Sequence, residues 1–227
     1  MSGKLILVRH GETTSNIQKR LDTALPGAGL TDFGARQAAR FALERPGARP
    51  TALYSSVARR ARQTAELIGV VWGVDSVAVE GVHEVQVGPE LEDQTGHEAH
   101  KAFAAVIGKW VSGDKDARLP GGESLSDVHN RYLPVVDELV RRHFTGPDPA
   151  EVYLVSHGAV MRMIGAKLTG LTMDFGERER LPNTGTIELA YGDDGRWTCL
   201  GWGNLTPPFQ TSADADHVPP EDIDPMG

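Results

Sequence analysis

Residues 5–16 read LILVRHGETTSN, and this stretch decides the predicted fold. Its first four residues are all apolar, and they pass directly into Arg9, His10 and Gly11. A short, fully apolar run is typical of a strand buried on both faces of a parallel sheet. A second stretch, VYLVSHG at 152–158, also ends an apolar run in His-Gly. Ligands of open α/β sheets bind beyond the carboxyl ends of the strands, so the two strands predict two halves of one site.

Strand and helix signals alternate around these two strands, which begin at residues 4 and 151. Further strands are predicted at 51–55 and 76–80, and a hairpin at 186–203 around GDDG. Helices are predicted at 31–45, 57–69, 97–111, 124–143 and 159–168. The alternation predicts an α/β fold, a three-layer α/β/α sandwich whose mostly parallel central sheet has an antiparallel edge strand.

Two of the predicted helices carry signals for their ends. Ser124 with Asp127 three residues later forms a capping-box pattern that begins the fourth helix. Pro134 lies inside that helix and predicts a kink or a break. The second helix is predicted to end at Gly69.

The length of 227 residues suits one large domain, predicted over 1–205. Residues 206–227 are acidic, contain several prolines and have few large apolar side chains, so we expect a disordered tail. The formal net charge of −8 argues against nucleic-acid and membrane-surface partners. An anionic ligand must therefore be held by a local cluster of Arg or His.

Cysteine usage and the lack of long apolar runs bear on location. The single Cys199 excludes an intrachain disulfide and favours a reducing compartment. Neither a leader pattern nor an apolar run of membrane-spanning length is found in the sequence. We therefore expect a cytoplasmic protein. The oligomeric state is left open, with a homodimer among the options.

The residue types at the two strand ends suit anion chemistry. The guanidinium fork of Arg9 matches phosphate oxygens, and a following glycine lets a ligand approach the backbone. A histidine at such a site can ligate a metal, act as a general base or act as a nucleophile. A zinc site would need further ligands at a typical spacing. Neither His-Gly motif brings them, and HEAH at 97–100 lacks the spacing of a zincin helix. No metal and no other cofactor is predicted.

Five motifs in order carry a family resemblance. They are LVRHGET followed by Asn16, SSVARRARQTAE at 55–66, HEVQVGPELED at 83–93, PGGESLSDVHNR at 120–131 and VSHG at 155–158. Together they resemble the histidine phosphatase superfamily, which includes cofactor-dependent phosphoglycerate mutases and many phosphatases. The resemblance extends over roughly residues 4–190 and implies an enzyme of the phosphoglycerate mutase-like fold.

The resemblance implies a role for each motif residue. His10 would attack phosphorus and form a phosphohistidine, and Glu84 would protonate the departing alkoxide. Arg9, Arg60 and, if protonated, His157 would surround the equatorial oxygens of the transferred phosphoryl group and stabilise their negative charge. Contacts to phosphate or substrate are expected from Asn16, Gly11, Thr13 and Gly158.

Competing assignments remain for three of these residues. Arg59 and Arg62 compete with Arg60, and Asn16 also fits a turn or helix cap. Glu80 and Glu90 compete with Glu84 as the acid. Five other histidines are interpreted as surface or packing residues: His83, His97, His100, His129 and His143.

Three activities fit the resemblance: a phosphatase, a phosphoglycerate mutase and a non-catalytic phospholigand-binding protein. The full set of His10, Glu84 and His157 argues against the last. The mutases that the chain resembles carry an Arg-rich insertion after the glutamate segment. Here residues 91–119 contain a single arginine, Arg118. IQKRLDTALPGAG after Asn16 also lacks their Gly-Trp-x-Asp. We therefore predict a phosphomonoesterase whose partner is a small phosphorylated substrate. The non-phosphate part of that metabolite would contact loops 17–29 and 89–120.

Overall fold

The computed structural model describes residues 3–209, so the predicted tail falls outside the described residues from 210 onward. Its strands are β1 Gly3–Arg9, β2 Ala52–Ser56, β3 Ser76–Val79, β4 Ala150–Ser156, β5 Thr186–Tyr191 and β6 Trp197–Trp202. They form one six-stranded sheet in the order β3-β2-β4-β1-β5-β6. The strand that carries Arg9 at its end therefore lies inside the sheet, next to the second strand that leads into His-Gly.

The sheet is mostly parallel, as predicted. Strand β1 pairs in parallel with β4, and β2 pairs in parallel with both β4 and β3. The antiparallel pairing lies toward the β6 edge of the sheet, where β5 runs against β1 on one side and against β6 on the other. The predicted hairpin around GDDG forms this edge.

Helices cover both faces of the sheet. They are α1 Thr14–Ile17, α2 Asp32–Leu43, α3 Arg59–Trp72, α4 His97–Val111, α5 Leu125–His143, α6 Gly158–Thr169 and α7 Met173–Arg178. Successive side chains of a strand point to opposite faces. Ile6 and Val8 accordingly pack in the apolar cluster with α2 and α3, whereas Leu5 and Leu7 pack in the cluster that holds α4 to α7. The predicted three layers are confirmed.

Helix α3 extends past its predicted end. Gly69 is buried inside the helix, where an added Cβ would lie 2.4 Å from the carbonyl oxygen of Val74. Its missing side chain therefore allows the following loop to pack closely. The helix ends instead at Gly73, whose φ of 70° is left-handed and favours glycine. The prediction of an end at Gly69 was wrong by one helical turn.

The predicted break at Pro134 does not occur, because α5 is continuous from Leu125 to His143. Proline lacks the N–H that would bond to the carbonyl of Asn130. Both Pro134 and Asn130 are exposed, so water can satisfy that carbonyl. The opposite face of the helix is buried on both sides of the proline and holds the helix in place, through Val128, Tyr132, Val136 and Leu139.

Two short helices, α1 and α7, were not predicted. They have four and six residues, which is too short for an apolar periodicity to be read. Within residues 3–209, no helix has the length and apolar character that crossing a bilayer requires.

Candidate active site

The register of the two central strands brings the two histidines together. Arg9 at the end of β1 lies opposite Ser156 at the end of β4, and the backbone N–H of His10 donates to the carbonyl of Ser156 at 3.1 Å. His10 and His157 are the next residues along these parallel strands. Their ring centroids are 5.2 Å apart. Two segments separated by almost 150 residues therefore form one site.

Arg60 contacts both imidazoles. It lies in the first turn of α3 and is only 3% exposed, whereas Arg59 and Arg62 are exposed. Its Nε lies 3.1 Å from Nε2 of His10 and 3.2 Å from Nδ1 of His157. A single N–H is thus shared between two ring nitrogens. Of the three competing arginines, the structure brings only Arg60 to the histidines.

The hydrogen-bond partners assign the tautomer of each ring. Nδ1 of His10 lies 2.8 Å from the carbonyl oxygen of Gly11, and because a carbonyl only accepts, this nitrogen carries the proton. Nε2 of His10 therefore holds the lone pair that a nucleophile needs. For His157 the assignment is reversed: Nδ1 accepts from Arg60 and the proton is on Nε2. Among the described residues, that Nε2 has no hydrogen-bond partner.

Burial keeps both rings neutral. The pKa of His10 lies well below the ordinary 6.5, first because the ring is buried and then because Arg60 and Arg9 are nearby. The pKa of His157 is also well below 6.5, from burial and from Arg60. The lowered pKa disfavours the protonated form of His157 that the resemblance allowed. The ring offers a neutral N–H donor instead.

Glu84 is held at the start of α6. The side chain is 2% exposed between the fully buried Val82 and Val85. One carboxylate oxygen accepts the backbone N–H groups of Val85 at 2.8 Å and Val160 at 2.9 Å, and the other accepts that of Ala159 at 3.0 Å. The anion bound by this helix N-terminus, which begins at Gly158, is therefore a carboxylate of the protein.

The environment of Glu84 raises the pKa of its carboxyl. Burial raises the pKa of the carboxyl above the ordinary 4.5, and the three backbone N–H donors and Arg60 offset this only in part. A raised pKa is what a general acid requires. The competing Glu80 and Glu90 are both exposed, and neither lines the cleft that His10, Arg60 and Glu84 share.

Arg131 positions the backbone around Glu84. Its guanidinium donates to the carbonyl oxygens of Gly81 at 2.7 Å, His83 at 2.8 Å and Glu84 at 3.1 Å. Its Nε forms an ion pair with Glu123 at 2.6 Å. Sequence reasoning assigned no role to Arg131, although the residue ends the PGGESLSDVHNR motif. Its place in that motif was the signal that could have identified it.

A cleft of about 270 Å³ opens over these groups. It is lined by His10, Thr13, Ser15, Asn16, Arg20, Asp22, Arg60 and Glu84. Thr13 and Asn16 form the capping box of α1, so the Thr13 hydroxyl and the Asn16 amide oxygen already take part in that cap. The alternative reading of Asn16 as a cap is thus realised, at a position that also faces the cleft.

Of the predicted site residues, Arg9 and His157 are not among the described residues that line this cleft. Arg9 is 4% exposed and donates to the carbonyl oxygen of Leu181 at 2.7 Å. Its charge still acts on the cleft, because it helps to lower the pKa of His10.

Gly11 serves the packing of the loop after β1. A Cβ on Gly11 would lie 2.5 Å from the carbonyl oxygen of Gly34, and a Cβ on Gly34 would lie 2.1 Å from that of Glu12. The two glycines thus let α2 approach the segment that follows His10. The N–H of Gly11 also donates to the hydroxyl of Thr64 at 3.0 Å. These contacts fix the backbone beside the nucleophile candidate.

Sequence reasoning missed Asp22 and Asn183. The carbonyl of Asp22 accepts Nη2 of Arg60 at 3.0 Å, and its carboxylate lies 3.7 Å from Nη1. The amide of Asn183 donates to the carbonyl of His10 at 3.0 Å. Asp22 lies in the 17–29 loop, which matched no motif, and Asn183 lies in an irregular segment before β5. Neither position carried a signal in the sequence.

Across residues 3–209, no group of three or more His, Cys, Asp or Glu side chains is arranged to hold a metal ion.

Comparison with known proteins gave matches over nearly the whole chain. The family described as "Histidine phosphatase superfamily (branch 1)" matches residues 5–205. The probable phosphoglycerate mutase GpmB of Proteus mirabilis is 28% identical over 95% of this chain and 94% of the relative. The metal-independent phosphoserine phosphatase of Arabidopsis thaliana is 28% identical over 89% of this chain and 82% of the relative. Mycobacterial glucosyl-3-phosphoglycerate phosphatase Rv2419c in complex with VO3 superposes with a TM-score of 0.74 at 28% identity, covering 88% and 98% of the two chains.

Proposed function

The chain belongs to branch 1 of the histidine phosphatase superfamily, whose members include enzymes acting on phosphate monoesters, and on that premise we propose that it is a phosphomonoesterase using His10 as its nucleophile. The proposed substrate is a small phosphorylated metabolite. One observation carries the proposal. Nδ1 of His10 donates to the carbonyl of Gly11, and the lone pair on Nε2 is therefore directed toward Arg60 and the cleft.

The proposed reaction has two displacements. Nε2 of His10 attacks phosphorus, the bond to the alcohol oxygen breaks, and Glu84 donates its proton to that oxygen. Water then attacks the phosphohistidine, Glu84 takes a proton from it, and Nε2 of His10 departs. The Nε–H of Arg60, which keeps its proton, must turn its hydrogen bond from His10 to a phosphate oxygen before the first attack, because that bond now occupies the attacking lone pair. Arg60 lines the cleft and would contact the transferred phosphoryl group, while the buried Arg9 and the Nε2–H of His157 would add positive potential from behind it.

Phosphoglycerate mutase is the alternative, supported by the likeness to GpmB. The structure offers little to hold the second acidic group of such a substrate. Arg118, the one arginine between 91 and 119, forms an ion pair with Asp127 at 2.9 Å and donates to Ser124 at 3.2 Å. It is therefore bound to the two capping-box residues at the start of α5 and does not line the cleft.

A phosphate-release assay in the presence of EDTA tests the proposal. We expect inorganic phosphate to be released from small monoesters without added metal, because Arg9 and Arg60 supply the positive charge. In parallel, 3-phosphoglycerate is incubated with and without a bisphosphoglycerate primer, and isomerisation is expected to be slower than hydrolysis. Faster isomerisation would identify a mutase. Loss of turnover in EDTA, with recovery on adding zinc or magnesium, would show that a metal takes part.

The pH dependence of kcat/KM follows from the two pKa shifts. Neutral His10 is required, and its pKa lies well below 6.5, so we expect no loss of activity from imidazole protonation as pH falls through 6.5. Protonated Glu84 is required for a poor leaving group, so activity should fall as pH rises through its pKa, which lies above 4.5. The Glu84→Gln variant should lack this alkaline limb. Activity that instead rises with pH around 6.5 would indicate an ordinary, exposed histidine.

A further inference from the structure

A second pocket adjoins the phosphate cleft. This outer pocket has an open volume of about 960 Å³ and shares Ser15, Arg20 and Asp22 with the cleft. The rest of its wall is formed by the segment from Thr14 to Ala28, together with Glu92 and Asp93. A phosphate ester bound at His10 has to extend its alcohol part past the shared residues. The outer pocket is the larger space on that path.

The charges of the outer pocket are mainly negative. Asp22, Glu92 and Asp93 contribute three carboxylates, against the single guanidinium of Arg20. Glu92 is fixed in place, because its oxygens accept the N–H of Thr23 at 2.8 Å, the hydroxyl of Thr23 at 2.6 Å and the N–H of Ala24 at 2.9 Å. Its charge is bound by neutral donors and remains uncompensated.

Arg20 is already engaged. Its Nη1 lies 3.2 Å from a carboxylate oxygen of Asp93, and its Nη2 donates to the side-chain oxygen of Gln18 at 2.7 Å. Asp22 is likewise paired, with Arg60. A second anionic group on the substrate would have to compete with Asp93 for Arg20 and would lie close to Glu92. Neutral hydroxyl groups face no such cost, and Thr14, Ser15 and Gln18 offer them polar partners.

We propose that the outer pocket receives the alcohol part of the substrate and selects a polar alcohol that carries no second anionic group. The proposal rests on the phosphatase function proposed above and names its substrate class. A like charge a few ångströms from Glu92, in a partly exposed pocket, lowers kcat/KM roughly tenfold. Phosphoserine and glucosyl-3-phosphoglycerate, for which two of the relatives are named, each carry a carboxylate. This preference therefore sets the chain apart from those two relatives.

Glycerol 3-phosphate and 3-phosphoglycerate form a matched pair of test substrates. They share the same skeleton, and a hydroxymethyl group in the first replaces the carboxylate of the second. We expect kcat/KM to be roughly tenfold higher for glycerol 3-phosphate. p-Nitrophenyl phosphate is hydrolysed in parallel as a measure of the phosphatase chemistry itself.

Two variants should move this ratio in opposite directions. Asp93→Asn releases Arg20 from its ion pair, so 3-phosphoglycerate should gain relative to glycerol 3-phosphate. Arg20→Gln removes the one cationic side chain that residues 3–209 place in the outer pocket, so the preference for glycerol 3-phosphate should increase. Structural damage alone would slow both substrates together. Asp137→Asn on α5, an exposed carboxylate outside both pockets, is the matched control and should leave the ratio unchanged.

The outcomes separate this inference from the proposed function. Turnover of p-nitrophenyl phosphate with equal use of the two test substrates, or with a ratio that neither variant changes, would overturn the charge selection and leave the phosphatase intact. Failure to hydrolyse any ester would overturn the proposed function and this inference with it. A ratio near tenfold that shifts in opposite directions in the two variants would establish the selection.

Discussion

Replacing His10 with alanine is expected to lower kcat by on the order of a thousandfold or more, with the fold retained. The imidazole is the one protein group of the proposed reaction that bonds to phosphorus, so no second residue can replace it. The fold should persist because Arg60, the partner of the missing ring, keeps its bonds to His157 and to the carbonyl of Asp22. Circular dichroism and thermal unfolding would check this.

Trapping the intermediate assigns the nucleophile directly. Wild-type protein mixed with labelled substrate and quenched without acid should carry a phosphoryl group that is labile in acid and stable in base, on His10. His97→Ala is a suitable control, because this histidine is exposed on α4 and should not affect labelling. Labelling of a serine or an aspartate, or full activity in His10→Ala, would rule out the proposed nucleophile.

The second large effect is expected for Glu84→Gln. Loss of the proton donor should lower kcat by about 10² to 10⁴ for an ester whose leaving group is a poor one, such as a sugar alcohol. A nitrophenolate needs little protonation, so its release should be slowed far less. Water activation would still be impaired, and a burst of nitrophenol should therefore precede slow turnover.

The Glu84→Gln change also disturbs backbone hydrogen bonds, and this structural effect must be separated from the loss of the proton donor. Both oxygens of Glu84 accept backbone N–H groups, so the amide of glutamine must turn its own N–H₂ toward Ala159 or Val160. A lost hydrogen bond of this kind lowers the free energy of unfolding by about 1–3 kcal/mol. Such damage would slow both leaving groups alike. Single-turnover rates for an alkyl and an aryl ester are therefore compared within the same variant.

Binding of vanadate provides a further control for Glu84→Gln. Removal of a carboxyl that can carry negative charge should leave anion binding unchanged or tighter. Equal losses for the alkyl and aryl esters, with weaker vanadate binding, would show that Glu84 is structural. Glu80 would not then be a promising substitute, because its side chain is exposed away from the cleft.

The two histidines were predictable because their positions follow from strand ends. Apolar runs that lead into His-Gly identify β1 and β4, and parallel pairing of adjacent strands then places His10 beside His157. The choice of Arg60 over its neighbours came from the family pattern alone. The structure distinguishes the three arginines by burial: Arg60 is buried on the inner face of α3, whereas Arg59 and Arg62 are exposed.

Other features depend on contacts that no local pattern encodes. Gly69 looks like a helix end in the sequence, yet it is the contact point with the backbone of Val74. The neutral state of His157 follows from complete burial beside Arg60, which only the assembled fold creates. Asp22 reaches Arg60 from a loop without periodicity. Predicting these features would require the path of the chain in three dimensions.

The place of β1 in the sheet has a consequence for how the chain is made. Its two neighbours are β4 and β5, which end at residues 156 and 191, so β1 is synthesised long before either partner exists. At about 5–20 residues per second, the apolar run of this strand waits roughly 7–30 s for β4. During that time its backbone and side chains have none of their final sheet partners. The strand that leads into the proposed nucleophile is thus made well before the two strands that enclose it, and it needs protection from aggregation during that interval.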